Sequence, residues 1–179
     1  MVYMFFADGF EELEAVAPVD VLRRAGAKLV TVSIGKDKAV TGRNGITLVC
    51  DATIDEIGED GDMLILPGGM PGVTNLASCE KLVNMLKKAY ADGKYIGAIC
   101  AAPSILGELG MVKGRRAAVY PGMEDTLKGA SKVETGVCVD GNVITATAAG
   151  FATQFGLALA SALCGEDKAK SVADGIVFR

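Results

Sequence analysis

The chain has 179 residues, half of them hydrophobic, a length and composition suited to a single domain spanning residues 1–179 with a well-filled core. Its 18 Lys and Arg against 22 Asp and Glu give a formal net charge of −4 with no basic cluster, which argues against nucleic acid as a partner. The absence of His excludes Ser-His-Asp and Cys-His catalysis within the chain and removes the commonest zinc ligand.

The elements alternate along the chain. Val2–Phe6 is a short apolar run that reads as a strand. After Asp8-Gly9, helical periodicity runs from about Glu11 to Ala25, closed by Arg23-Arg24 in the last turn and Gly26 beyond it. Pro18 lies inside this helix and predicts a kink or a boundary moved by one turn. Leu29–Ile34 and Ile46–Cys50 read as strands, and the continuous apolar run Met63–Leu66 as a strand covered on both faces. A Gly/Pro-rich loop, Pro67–Gly72, precedes a helix near Glu80–Ala91, whose Leu82, Met85, Leu86 and Ala89 form one stripe. Tyr95–Ile99 is the next strand and Ala102–Leu109 the next helix. Gly110, Lys113 and Gly114 interrupt the chain before a short strand at Ala117–Val119. Val137–Val139 and Val143–Ala146, joined by Asp140-Gly141-Asn142, read as a hairpin. Ala152–Leu163 is an apolar helix, and Glu166–Val172 begins a last one.

Short buried strands alternating with helices predict an α/β fold, a mostly parallel sheet with helices on both faces. In such sheets functional groups gather at the C-terminal strand ends, here after Phe6, Leu66 and Ile99. Cys100 closes the strand Tyr95–Ile99 and precedes the helix at Ala101-Ala102-Pro103, the position of a nucleophile elbow. Free N–H groups at the helix start favour a thiolate there. The competing reading is a small buried hydrophobe, a common role for free cysteines. The Pro67–Gly72 loop ends the neighbouring strand, where its glycines either present an N–H to an oxyanion or simply turn the chain.

Glu11, Glu12 and Glu14 open the first helix. Glu11 and Glu12 are expected to complement the helix dipole and face solvent. If Glu14 faces Cys100, two acids share one site, and each raises the other's affinity for protons. Tyr120, before Pro121, either lines the same pocket or packs in the core. Arg43, in the turn Thr41–Gly45, is exposed by default and a minority candidate for anion binding. The five Cys are odd in number and hold no C-x-x-C pair, which is neither a disulfide framework nor a metal-finger spacing. No metal and no cofactor are expected. Cys79 and Cys138 are placed on surface segments, and these two with Cys50 and Cys164 are read as structural. No apolar run reaches about 18 residues and no signal-peptide pattern opens the chain, so the expectation is a cytoplasmic protein with no membrane contact.

Four segments together resemble the ThiJ/PfpI superfamily, in the branch of the parkinsonism-associated deglycase and its bacterial relatives. They are Ala7–Glu14, Pro18–Gly26, Leu66-Pro67-Gly68-Gly69 and Ala98–Pro103. The resemblance implies a flavodoxin-like three-layer α/β/α sandwich, usually a homodimer. It also implies that Cys100 is the reactive cysteine, Glu14 the acid that hydrogen-bonds it, and Gly69 and Ala101 the N–H donors of an anion pocket. Two positions depart from the family pattern. Tyr120 stands before Pro121 where the family often has His, and Ala148-Ala149-Gly150-Phe151-Ala152 replaces a Gly-Pro-Gly-Thr-like segment. A phenol, with a reference pKa of about 10, is a poor base near neutrality, so peptidase and amidotransferase chemistry are disfavoured. Three readings follow: a glyoxalase- or deglycase-like enzyme acting on small reactive carbonyls through Cys100, an oxidative-stress sensor or chaperone in which Cys100 becomes a sulfinate, and a binding module with a vestigial pocket.

Overall fold

The apolar runs of the sequence pair as the central strands of one sheet in the computed structural model, which describes residues 1–179. In chain order the elements are β1 (Val2–Phe6), α1 (Glu12–Arg24), β2 (Leu29–Ser33), β3 (Ala39–Thr41), β4 (Thr47–Val49), β5 (Ala52–Thr53), β6 (Met63–Leu66), α2 (Gly72–Ser78), α3 (Glu80–Ala91), β7 (Tyr95–Ile99), α4 (Pro103–Glu108), β8 (Arg116–Ala117), β9 (Ser131–Lys132), β10 (Val137–Asp140), β11 (Val143–Ala146), α5 (Ala152–Cys164) and α6 (Glu166–Gly175). The main sheet has the order β10-β11-β7-β6-β1-β2-β5, parallel throughout except for the β10–β11 hairpin at one edge.

Strand alternation divides the core into two layers. Tyr3 and Phe5 of β1 and Leu64 and Leu66 of β6 meet Leu82 and Leu86 of α3 and Ile105 and Leu106 of α4. Met4 and Phe6 of β1 and Met63 and Ile65 of β6 meet Leu22 of α1 and Phe155 and Leu159 of α5 on the other face. This is the three-layer flavodoxin-like sandwich. Burying each large apolar side chain contributes about 1.5–3 kcal/mol, so these two layers are the main source of stability.

α1 runs unbroken through Pro18, and no boundary falls there. Its packing partner α5 carries Gly156 opposite, where a Cβ would lie 3.0 Å from the Pro18 Cα, so the missing side chain permits the close approach. Gly26, at φ 84°, follows the end of α1 as the sequence predicts.

Several local expectations are corrected. Thr47–Val49 does not join the main sheet. It pairs antiparallel with β3, a three-residue strand with only Val40 buried and hence almost no apolar signal. The strand expected at Ala117–Val119 is reduced to β8, which pairs with β9 outside the main sheet, while the Ala118 N–H turns to the Thr145 hydroxyl. The segment after the glycine loop is helical: α2 starts on Gly72, a residue whose presence in the loop disguised the helix.

Candidate functional site

The C-terminal ends of β1, β6 and β7 converge on Cys100. At φ 63° Cys100 occupies the left-handed region, which a non-glycine residue enters at a cost of about 1–3 kcal/mol. Two backbone bonds hold it there: its N–H donates to the Ala146 carbonyl at 2.9 Å, and its carbonyl accepts from the Tyr120 N–H at 2.8 Å. The chain then enters α4 with Pro103 in the first turn, where no intrahelical N–H is needed.

Glu14, in the first turn of α1, is almost fully buried. The Gly68 N–H donates to its Oε2 at 3.0 Å, and the Glu11 N–H donates to the Gly68 carbonyl at 2.9 Å. The glycine loop and the helix start therefore fix one another. Gly68 has no substitute here, because a Cβ would stand 2.6 Å from the Cys100 Cβ and against the Glu14 carboxyl. Sequence reading singled out Gly69 and passed over Gly68. The Pro-Gly-Gly pair marks the loop but does not say which glycine meets the carboxylate.

The Glu14 carboxyl and the Cys100 thiol hydrogen-bond to one another. Burial raises the Glu14 pKa to about 7. The Cys100 contact opposes the rise, the Glu11 charge adds to it, and the Gly68 N–H and Arg43 oppose it. Burial pushes the Cys100 thiol up to about 12, followed by the charge and hydrogen bond of Glu14, against the N–H groups of Ala101 and Gly69. The helix start therefore does not by itself make a thiolate, contrary to the expectation from position: desolvation and the neighbouring carboxylate outweigh it. Cys100 and Glu14 titrate as a pair that loses its first proton near pH 7 and holds the second up to about 12. When Glu14 carries that proton, the two N–H groups are left to stabilise the sulfur anion.

Cys100 opens onto a cleft of about 370 Å³. Gly69, Ala101, Arg43 and Tyr120 line it, together with Met70 and Met123, which sequence reading did not single out. Arg43 is exposed, and its N–H anchors the turn to the Phe10 carbonyl at 2.8 Å. The Tyr120 side chain stands half-exposed on the cleft wall and not in the core. Ala149–Phe151 forms a single turn leading into α5 and lies outside the cleft lining, so the altered segment leaves the walls of this cleft untouched.

Glu12 departs from its expected place in solvent. It is buried and accepts from the Asn44 N–H at 2.7 Å and the Asn44 side-chain amide at 2.9 Å. Burial alone would raise its pKa, but these donors, with the Ile46 N–H, hold it below the usual carboxylate value. Glu12 thereby ties the β3–β4 turn carrying Arg43 to the same helix start that carries Glu14. Glu11 is the N-cap, its side chain accepting from the Glu14 N–H at 2.8 Å. All five cysteines are free. Cys138 is buried on β10, not on the surface, and Cys50 is buried with its thiol pushed up to about 11 by desolvation and then by the Asp51 charge.

A mostly parallel three-layer sandwich with a cysteine on a strained strand-to-helix turn and a buried carboxyl against it defines a cysteine-turn protein of the flavodoxin-like type. The chain belongs to the DJ-1/PfpI family, whose model matches residues 1–162. It is 44% identical over 165 residues to protein DJ-1 homolog A of Arabidopsis thaliana, covering 91% of this chain and 42% of that protein. It thus spans about two fifths of the length of its Arabidopsis relatives, the homolog B match covering 37% of that protein. A Thermococcus kodakarensis protein named as a deglycase is 36% identical over 148 residues, covering 80% of this chain and 87% of its own. Among solved structures, oxidised Toxoplasma gondii DJ-1 superposes with a TM-score of 0.95 at 34% identity, over 99% of this chain and 97% of that one.

Proposed function

We propose that this protein converts small 2-oxoaldehydes to 2-hydroxy acids through Cys100, without a thiol cofactor. The observation that carries this reading is Cys100 on the wall of an open cleft, with the buried Glu14 carboxyl against its thiol and the Gly69 and Ala101 N–H groups on the sulfur. A carboxyl whose pKa is about 7 is suited to exchange protons near neutrality, the role that the absent His would otherwise fill.

The Glu14 carboxylate takes the thiol proton as the sulfur bonds to the aldehyde carbon, and the carbonyl π electrons move onto oxygen. The N–H groups beside the sulfur stabilise that oxyanion, and Glu14 returns the proton to give a neutral hemithioacetal. Glu14 next removes the hydrogen from the former aldehyde carbon, leaving an enediolate. It delivers that proton to the neighbouring carbon while the hydroxyl proton passes to the second oxygen, which yields a 2-hydroxy thioester. Water then cleaves the C–S bond, the acid departs and the sulfur regains its proton. The net change is the addition of one water to the 2-oxoaldehyde.

The test is lactate formation from methylglyoxal by the wild type and by Cys100→Ala in the absence of glutathione. Turnover confined to the wild type supports the reading, and equal yields from the two proteins contradict it. The archaeal relatives named as deglycases support a carbonyl substrate class.

A second reading is a peroxide sensor. The same N–H pair and a protonated Glu14 suit a sulfinate on Cys100, which needs donors and no base. Peroxide titration followed by intact mass separates the two: a two-oxygen gain on Cys100 without carbonyl turnover favours the sensor. Leu13 and Val16 on α1, 62% and 47% exposed, support assembly as a homodimer through that helix.

A further inference from the structure

We propose that the substrate of the Cys100 site carries an apolar tail, which leaves the cleft between Met70 and Met123 and lies in a groove lined by Val73, Ala77, Val83 and Ile105. The inference deepens the carbonyl reading above and rests on it for the nature of the reacting group. Met70 and Met123 border both spaces: the cleft over Cys100 and a second one of about 350 Å³ on the outer side of α2 and α4. Seven of the ten residues lining the second space are hydrophobic.

The two spaces differ in chemistry. The Cys100 end offers Arg43, two backbone N–H donors and the Cys100 thiol backed by Glu14, whereas the other end is lined mainly by Val, Ala, Ile, Leu and Met side chains, with Thr74, Ser104 and Glu108 its polar members. A three-carbon dicarbonyl leaves most of the first cleft empty, since clefts above about 300 Å³ commonly take ligands several times larger. It leaves the groove bare altogether. The ligand complementary to both ends is amphiphilic, with a polar dicarbonyl head and a medium-length alkyl or aryl tail. Methionine suits the junction, because its unbranched, flexible side chain adapts to an irregular apolar partner, and Met70 is half-exposed and unconfined. The one carboxylate on the groove, Glu108, is paired with Lys128 at 2.8 Å, so no free charge opposes an apolar chain.

The probes are N-methyl, N-butyl and N-hexyl iodoacetamide. Their rates at Cys100 are read by peptide mass spectrometry and divided by their rates with glutathione. A groove open on one side that buries about half of each methylene gives roughly a twofold gain per group, on the order of thirtyfold from methyl to hexyl. Ala77→Glu and, independently, Val83→Glu place a carboxylate on the groove wall and flatten this slope. A slope that is flat or falling in the wild type overturns the proposal, as does a slope that both variants leave intact. Turnover of methylglyoxal and of a hexyl 2-oxoaldehyde separates this inference from the reading beneath it. A chain-length slope in alkylation with neither aldehyde consumed upholds the groove and refutes the carbonyl activity. Equal turnover of both aldehydes upholds the activity and refutes the groove.

Discussion

Replacing Glu14 with Gln separates the two roles the structure gives to this carboxyl. The Cys100 thiol stands at about 12 against a reference value of 9.0, and burial, the charge of Glu14 and the hydrogen bond from Glu14 raise it in that order. The substitution removes the charge and replaces the carboxylate with a neutral amide, which can also donate to the thiolate, leaving burial opposed by the N–H groups of Gly69 and Ala101. A return of one pKa unit increases the thiolate about tenfold anywhere below the thiol pKa, and two units about a hundredfold. Iodoacetamide labelling across pH 6–10, resolved by peptide mass spectrometry with half-buried Cys79 as an internal comparator, reads the change directly. Cys100 in Glu14→Gln is expected to alkylate at least about tenfold faster near pH 8, while lactate formation from methylglyoxal falls, because the proton carrier is gone. A labelling profile identical to the wild type would mean that Glu14 and Cys100 are not coupled, and the proposed proton path would be lost with the coupling.

Three further outcomes follow from the same geometry. Glu14, with a folded value of about 7 against 4.5, binds more protons in the native than in the unfolded state between these limits. Its contribution is therefore full below pH 4.5 and is lost as pH rises to about 7, about 3 kcal/mol in all. Urea midpoints across that window should fall in the wild type and stay level in Glu14→Gln, a clean comparison because the chain has no His to titrate there. Gly68→Ala forces a Cβ to 2.6 Å from that of Cys100, and is expected to cost about 1–3 kcal/mol in urea unfolding and to abolish turnover. Glu12→Ala strands the N–H and amide donors of Asn44. A loss of about 2 kcal/mol and faster proteolysis at the Arg43 turn are expected, and an unchanged cleavage rate would contradict the anchoring role.

The parts of this fold that are legible in the sequence are those with a long apolar signal. Met63–Leu66 and Tyr95–Ile99 read as buried strands and are the centre of the sheet, and the stripe at Leu82, Met85, Leu86 and Ala89 gave helix α3 with its observed ends. The strands that sequence reading missed, β3, β5 and β9, are two or three residues long and bury little, so pairing and not side-chain pattern decides them, whereas helix α2 was hidden by the glycine that starts it. Cys100 was legible because strand, cysteine and first-turn proline are contiguous. Glu14 required a supposition about which way the helix start faces. Glu12 was misread for the same reason: an acid in a first turn looks solvated until the Asn44 turn, more than 30 residues away, folds over it. The thiol's raised affinity for its proton was also beyond local reading, since it comes from burial and a carboxyl 86 positions earlier.

The central claim is that the Cys100 sulfur bonds to the carbonyl carbon while Glu14 moves the proton. Rapid acid quench of the enzyme with methylglyoxal, followed by peptide mass spectrometry of all five cysteines, tests it most directly. The account predicts a substrate-mass adduct on Cys100 alone, which rises within the first turnover, decays as lactate appears and accumulates in no other peptide. Lactate released with no adduct at Cys100, or with the adduct on another cysteine, would contradict it.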